Sequence, residues 1–200
     1  MKFVKFVAKN PLSRFNAVVP HRVNSVVRVL QHHANENEGK QMELIIREAT
    51  PFDAENLCQL FDEADKLHCD HLSERFQAPK GPARDKAFIL GLLADQTVAL
   101  FVVERDGKLL GLVQAAVKDT PPLPIFVPRC YVVVNTLVVK EGFRQQGIGQ
   151  KLMDKVHQWA LSKGAAEVEL NVYEVNQGAI AFYRHLGYDT ISQKMSKSLR

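Results

Sequence analysis

Arg144, Gly147 and Gly149 stand in the order Arg-x-x-Gly-x-Gly, directly behind the β-branched run from Tyr131 to Val139. These types at this spacing can hold an anion. A glycine-containing turn lets backbone N–H groups face inward, and the first turn of a helix leaves donors unpaired at a positive dipole end. A phosphate suits the segment Arg144-Gln145-Gln146-Gly147-Ile148-Gly149-Gln150. A P-loop requires Gly-x-x-x-x-Gly-Lys-Ser/Thr. Gly142 and Gly147 have that separation, but Ile148 and Gly149 occupy the lysine and hydroxyl positions. A dinucleotide fingerprint needs a third glycine three residues after the second, where this chain has Leu152. What remains is a short motif for a pyrophosphate held mostly by backbone.

A second group lies farther on. Asn176 and Tyr183 are two helical turns apart, so they share one face. That face can look into a gap beside the central strand. His68 and His71 are spaced i, i+3 among Asp65, Asp70 and Glu74, which can fit a metal on a helix. No motif supplies a third or fourth ligand, so a solvated helix near an opening is expected and no metal. Cys58, Cys69 and Cys130 form neither a paired framework nor a metal spacing. They read as reduced thiols of a cytoplasmic protein.

Several elements must position these residues. Glu43–Arg47 reads as a strand, and Thr50-Pro51-x-Asp53 opens a helix with a cap, a proline at the first helical position and an acid near the positive end. Asp85–Leu93 reads as a second helix. Thr97–Glu104 and Leu109–Val117 are strands of a hairpin turning at Asp106-Gly107. Asp119–Pro128 carries four prolines and is expected to be a loop. Tyr131–Val139 suits a strand buried on both faces. The helix from Ile148 places Leu152, Met153, Val156, Trp159 and Ala160 on one side and closes at Lys163-Gly164. Glu167–Val172 alternates as a strand, completing a parallel strand–helix–strand unit. A last helix is capped by Asn176 and ended by Gly187.

The chain has 200 residues, a size for one folded domain. Residues 1–40 hold seven Lys/Arg against two Asp/Glu; the remainder holds nineteen against twenty. The net charge of +4 therefore belongs to the first segment, and no basic face for nucleic acid is implied elsewhere. No apolar run approaches the ~20 residues of a membrane span. Residues 1–41 are expected to be a basic, poorly ordered extension. The alternatives are an organelle presequence or a start upstream of Met42. Val23, Val26, Val27 and Leu30 can form a short amphipathic helix there. The folded domain is expected over 42–200.

Arg144-x-x-Gly147-x-Gly149 behind a strand, followed by Asn176 and by Ala179-x-x-Phe182-Tyr183-x-x-x-Gly187-Tyr188, resembles the GNAT superfamily of N-acetyltransferases. The resemblance is firm over residues 131–188, looser over 43–118 and absent from 1–40. It implies an α/β (mixed α+β) fold with a mostly antiparallel central sheet splayed at its central strand and flanked by helices. It also implies acetyl-CoA as co-substrate, with the backbone of Leu137, Val138 and Val139 along the pantetheine arm. Arg144, Gln145, Gln146, Gly147, Ile148, Gly149 and Gln150 would cradle the pyrophosphate. Asn176 would bond the coenzyme's arm, and Tyr183 would sit at its sulfur as the acid for the leaving thiolate. The central strand offers only Asn135 and Thr136 where many relatives carry a carboxylate base. Glu104 is ranked first as a substitute, ahead of Glu74, His68 and His71. The expected reaction is direct transfer to a primary amine, of a small molecule first and of a protein N-terminus or lysine second. A non-catalytic acyl-CoA sensor is the rival from another class. Such folds commonly form homodimers, which no residue here demonstrates.

Overall fold

Two apolar cores on opposite faces of one sheet organise the chain. The computed structural model describes residues 43–81 and 83–199. The expectations for residues 1–41, including the helix near Val23, lie outside the described residues. The elements are β1 (Ile45–Glu48), α1 (Ala54–His71), α2 (Lys86–Ala94), β2 (Val98–Arg105), β3 (Lys108–Asp119), β4 (Cys130–Val139), α3 (Ile148–Ser162), β5 (Glu167–Leu170) and α4 (Gln177–His185). The sheet order is β1-β2-β3-β4-β5. The first four strands pair antiparallel, while β5 joins β4 in parallel. This is the mixed, mostly antiparallel sheet expected.

Local sequence explains the elements. Asp106 and Gly107 both adopt positive φ, 55° and 72°, as a two-residue hairpin turn demands. A single 3-10 turn, Pro51–Asp53, leads into α1. The Thr50 N–H and hydroxyl donate to Asp53 Oδ2 at 2.7 and 3.0 Å. Asp85 caps α2 by accepting from the Phe88 N–H at 2.8 Å. The four-proline loop after β3 is irregular and tied across its base: Thr120 N–H donates to the Arg129 carbonyl at 3.1 Å.

On one face α3 buries Ile148, Leu152, Met153, Val156 and Ala160 against Phe101, Val103, Val113, Val132 and Val134. On the other, α1 and α2 bury Leu57, Leu60, Phe61 and Ile89 against Leu100, Val102, Leu112 and Val138. Gly111 lets β3 and β4 approach, because a Cβ there would lie 2.6 Å from the Val138 carbonyl oxygen.

The central strand departs from its expected continuity at one point. Gln114 pairs with Thr136 and Ala115 with Val134, so Asn135 is an extra residue on β4. Side chains alternate along a strand, and the bulge shifts that alternation. Val132 and Val134 face α3, whereas beyond the bulge Leu137 and Val139 do so and Val138 joins the opposite core. Asn135 itself is exposed. A uniformly apolar run conceals such a switch, because both faces accept valine.

Candidate active site

The pairing of β4 with β5 runs only from Tyr131–Glu167 to Val134–Leu170. β5 ends there, two residues short of the expected strand, because β4 bulges at Asn135 and the two strands part. Beyond Val134 the β5-facing edge of β4 has no strand partner, while its other edge stays paired to β3 through Val139. The unpaired edge includes Leu137, Val138 and Val139. An open strand edge offers N–H and C=O groups to an extended ligand.

At the end of β4 the chain makes a 3-10 turn, Glu141–Phe143, then passes through Gln145 (φ 60°) and Gly147 (φ 76°) before α3 begins. Two left-handed residues within three curl the backbone so that successive N–H groups point to one side. Gly147 is the cap residue of α3 and has no side chain to satisfy the helix donors. The N–H groups of Ile148, Gly149 and Gln150 have no partner among the described residues. Unpaired donors at a helix N-terminus are the geometry that suits an anion.

The side chains of the loop do other work. Ile148 is fully buried in the core beneath α3, so only its backbone is available. A Cβ on Gly149 would lie 3.3 Å from Phe182 Cζ; this glycine lets α4 approach α3. The Gln146 amide donates to the Gly142 carbonyl at 3.3 Å. Arg144 donates through Nε to the Val139 carbonyl at 2.9 Å and through Nη2 to Glu63 Oε1 at 3.2 Å. The same Glu63 oxygen accepts the Glu141 N–H at 3.0 Å. Glu63 of α1 thus anchors both ends of the turn. It escaped the sequence reading because it lies 78 residues from Glu141 and belongs to no motif.

α4 packs on the start of α3 through Phe182. Asn176 caps α4, Oδ1 accepting from the Ala179 N–H at 3.0 Å, which leaves the amide Nδ2 without a partner among the described residues. Two turns on, Tyr183 packs against the core beneath α3, its ring 5.2 Å from Phe182 and 5.8 Å from Tyr188. Burial pushes its phenol up to about 12, so it stays protonated and able to donate. Tyr188 is likewise raised, by burial and then by Tyr183. Its hydroxyl lies 2.8 Å from His157 Nε2, which ties the end of α4 to α3.

Glu104 is placed elsewhere. It pairs with Ile45 on β1, two strands from β4 and so roughly 10 Å away in the sheet. Its Oε2 accepts from Arg47 Nε at 2.9 Å and Nη2 at 2.7 Å, and Arg47 also clamps Asp53 at 2.7 Å. That carboxylate links β1, β2 and the start of α1 rather than meeting Tyr183. His68 stacks on Phe76 at 5.1 Å and meets Tyr173 edge-on at 5.8 Å. This joins the end of α1 to the segment leaving β5. His71 lies in the last turn of α1, and Glu74 is exposed beyond it. Among the described residues no group of three His, Cys, Asp or Glu is placed to hold a metal.

Residues 62–188 match the family model "Acetyltransferase (GNAT) family". The chain belongs to the GNAT family. A mutant of the BH1408 protein from Bacillus halodurans shares the GNAT fold with a TM-score of 0.75 at 26% identity, over 78% of this chain and 99% of that one. An aminoglycoside N-acetyltransferase solved with CoA gives a TM-score of 0.63 at 17% identity, over 81% and 98% of the two chains, a likeness of fold. An uncharacterised N-acetyltransferase of Methanocaldococcus jannaschii is 35% identical over 89 residues, 44% of this chain and 38% of that relative. Thialysine N-epsilon-acetyltransferase of Bos taurus is 34% identical over 62 residues, 31% of this chain and 36% of the relative. The chain thus spans well under half the length of these two curated relatives. The GNAT match covers β2 to α4 and with them the split, the anion loop and Tyr183. Among the described residues no helix is long and apolar enough to cross a membrane.

Proposed function

We propose that this chain is an N-acetyltransferase that passes the acetyl group of acetyl-CoA directly to a primary amine of a small molecule. The observation carrying the reading is the split between β4 and β5, which opens beside an uncapped helix N-terminus. The parts fit acetyl-CoA. Backbone donors of residues 145–150 suit the pyrophosphate, with Gly147 open toward any ligand: a Cβ there would meet nothing within 4 Å. The free edge of Leu137–Val139 suits the amide-bearing pantetheine arm, and Asn176 Nδ2 can donate to it.

The amine nitrogen attacks the thioester carbon, the C–N bond forms, and the C–S bond breaks as the thiolate leaves. A backbone N–H on the open edge of β4 steadies the oxyanion. Tyr183 donates a hydrogen bond to the departing sulfur. With the phenol near 12 and a thiol near ~8.5, complete proton transfer is uphill. Tyr183 therefore stabilises the thiolate chiefly as a donor, and solvent supplies the final proton. The amine's own proton leaves to water. Arg144 contributes by shaping the loop, since its guanidinium is already engaged at Val139 and Glu63.

Relatives named for thialysine and neighbours named for aminoglycosides support a small cationic acceptor over a protein one. The three unpaired cysteines suit a reducing, cytoplasmic setting. The test is thiol release from acetyl-CoA by the full chain against a panel of amines, with Tyr183→Phe alongside. Loss of one charge-assisted hydrogen bond predicts kcat lower by about 10–100-fold with the acetyl-CoA KM unchanged. Tight coenzyme binding without release on any amine would point instead to an acyl-CoA sensor.

A further inference from the structure

The face of the sheet opposite α3 is only partly covered. Val132, Val134, Val168 and Leu170 belong to the core beneath α3. By alternation, Tyr131, Val133, Glu167 and Glu169 take the other face. The core on that face takes nothing from β5 and nothing from β4 before the bulge. A strip of sheet running up to the split is therefore left clear of that core.

Glu169 is the carboxylate nearest the split on this strip. It pairs with Val133, one step before the last paired position, Val134–Leu170. Arg129 spans the two glutamates, Nη1 lying 2.6 Å from Glu167 Oε2 and Nη2 lying 2.7 Å from Glu169 Oε1. The guanidinium is held in place by the Tyr131 ring, 4.5 Å beneath it. The Glu169 side chain is 23% exposed against 58% for Glu167, so Glu169 is the recessed member and Glu167 the rim. Glu169 Oε1 is buried and has no hydrogen bond beside this ion-pair contact. A recessed carboxylate whose buried oxygen lacks a hydrogen bond is prepared for a further donor. Near the same opening, Tyr173 follows β5 by three residues and packs with His68 and Phe76, supplying an aromatic wall for a carbon chain.

We propose that the Glu169 carboxylate binds the ammonium of the incoming acceptor and that Arg129 is its positioning residue. The acceptor class is then a primary amine that arrives as a cation and gives up one proton to water before its nitrogen attacks. This rests on the acetyl-transfer reading above. Full-length wild type, Glu169→Gln, Arg129→Gln and Arg129→Lys are compared with spermidine, lysine amide and neamine as acceptors. The expected result is an amine KM raised at least about tenfold in Glu169→Gln, with the acetyl-CoA KM unchanged. Arg129→Gln shows a smaller rise that Arg129→Lys restores in part. Equal amine KM in wild type and Glu169→Gln overturns the proposal while leaving acetyl transfer intact. If wild type binds acetyl-CoA but turns over none of these amines, the acetyl-transfer reading has failed separately. Calorimetry with spermidine in the presence of CoA then decides: weaker binding by Glu169→Gln supports the site, and equal binding or none by both proteins overturns it.

Discussion

Removing the Glu63 carboxylate should loosen the anion loop without touching the reacting atoms. One oxygen of Glu63 accepts from the Glu141 N–H at 3.0 Å and from Arg144 Nη2 at 3.2 Å. The Arg144 and Glu63 side chains are 44% and 30% exposed, so the ion pair is screened and worth at most about 1 kcal/mol. The bond from the backbone N–H to a charged acceptor adds about 1 kcal/mol after the same discount. Glu63→Ala thus frees the turn by about 1–2 kcal/mol, equivalent to roughly 5–30-fold in an equilibrium constant. Deleting a negative charge beside an anion works the other way, by up to about 1 kcal/mol in high dielectric. Glu63→Gln separates the two effects, since its amide oxygen still accepts from Glu141 while the charge is gone. Titration calorimetry with CoA on the full chain should rank affinity as Gln at least equal to wild type, and Ala several-fold weaker. Glu63→Ala binding as tightly as wild type would refute the anchoring argument, and so would Gln falling as far as Ala.

Arg47, then the Thr50 N–H and hydroxyl, hold the Asp53 carboxyl at about 2, against 3.8 unperturbed. A depressed carboxylate contributes stability that is full above the unfolded value and lost as pH falls from about 4 to 2. Asp53→Asn should therefore cost about 2 kcal/mol at pH 7, with urea midpoints of mutant and wild type converging by about pH 2. Gly111→Ala sets a Cβ 2.6 Å from the Val138 oxygen and 3.3 Å from the Val139 Cα. These are backbone atoms, so overpacking should cost about 1–3 kcal/mol, lowering Tm by roughly 2–4 °C per kcal/mol; an unchanged Tm contradicts the close approach. The raised Tyr183 phenol stabilises the fold fully below about pH 10, and that contribution is lost as pH rises toward 12. Ultraviolet phenolate titration should lose one late step in Tyr183→Phe while keeping the one from Tyr188; a Tyr183 titrating near pH 10 would contradict the burial.

Much of this was legible in local pattern. Asp106-Gly107, the Asn176 cap and the Arg-x-x-Gly-x-Gly segment each encode their geometry within a few residues, and each is where the sequence places it. The bulge at Asn135 was not, because valines on both sides of it satisfy either face and only cross-strand pairing reveals the extra residue. Its consequence, the early end of β5 at Leu170, was hidden for the same reason. Glu104 drew attention as a carboxylate at a strand end, yet Arg47, 57 residues away, claims it. Glu63 and Glu169 were missed because their partners, Arg144 and Arg129, meet them only once α1 and β5 are in place.

The central claim is that acetyl-CoA lies in the split between β4 and β5. Amide hydrogen exchange of the full chain with and without CoA tests it most directly. The account predicts slowed exchange confined to peptides spanning 135–150 and 174–183. Unchanged exchange in both at saturating CoA, or protection elsewhere alone, would contradict it.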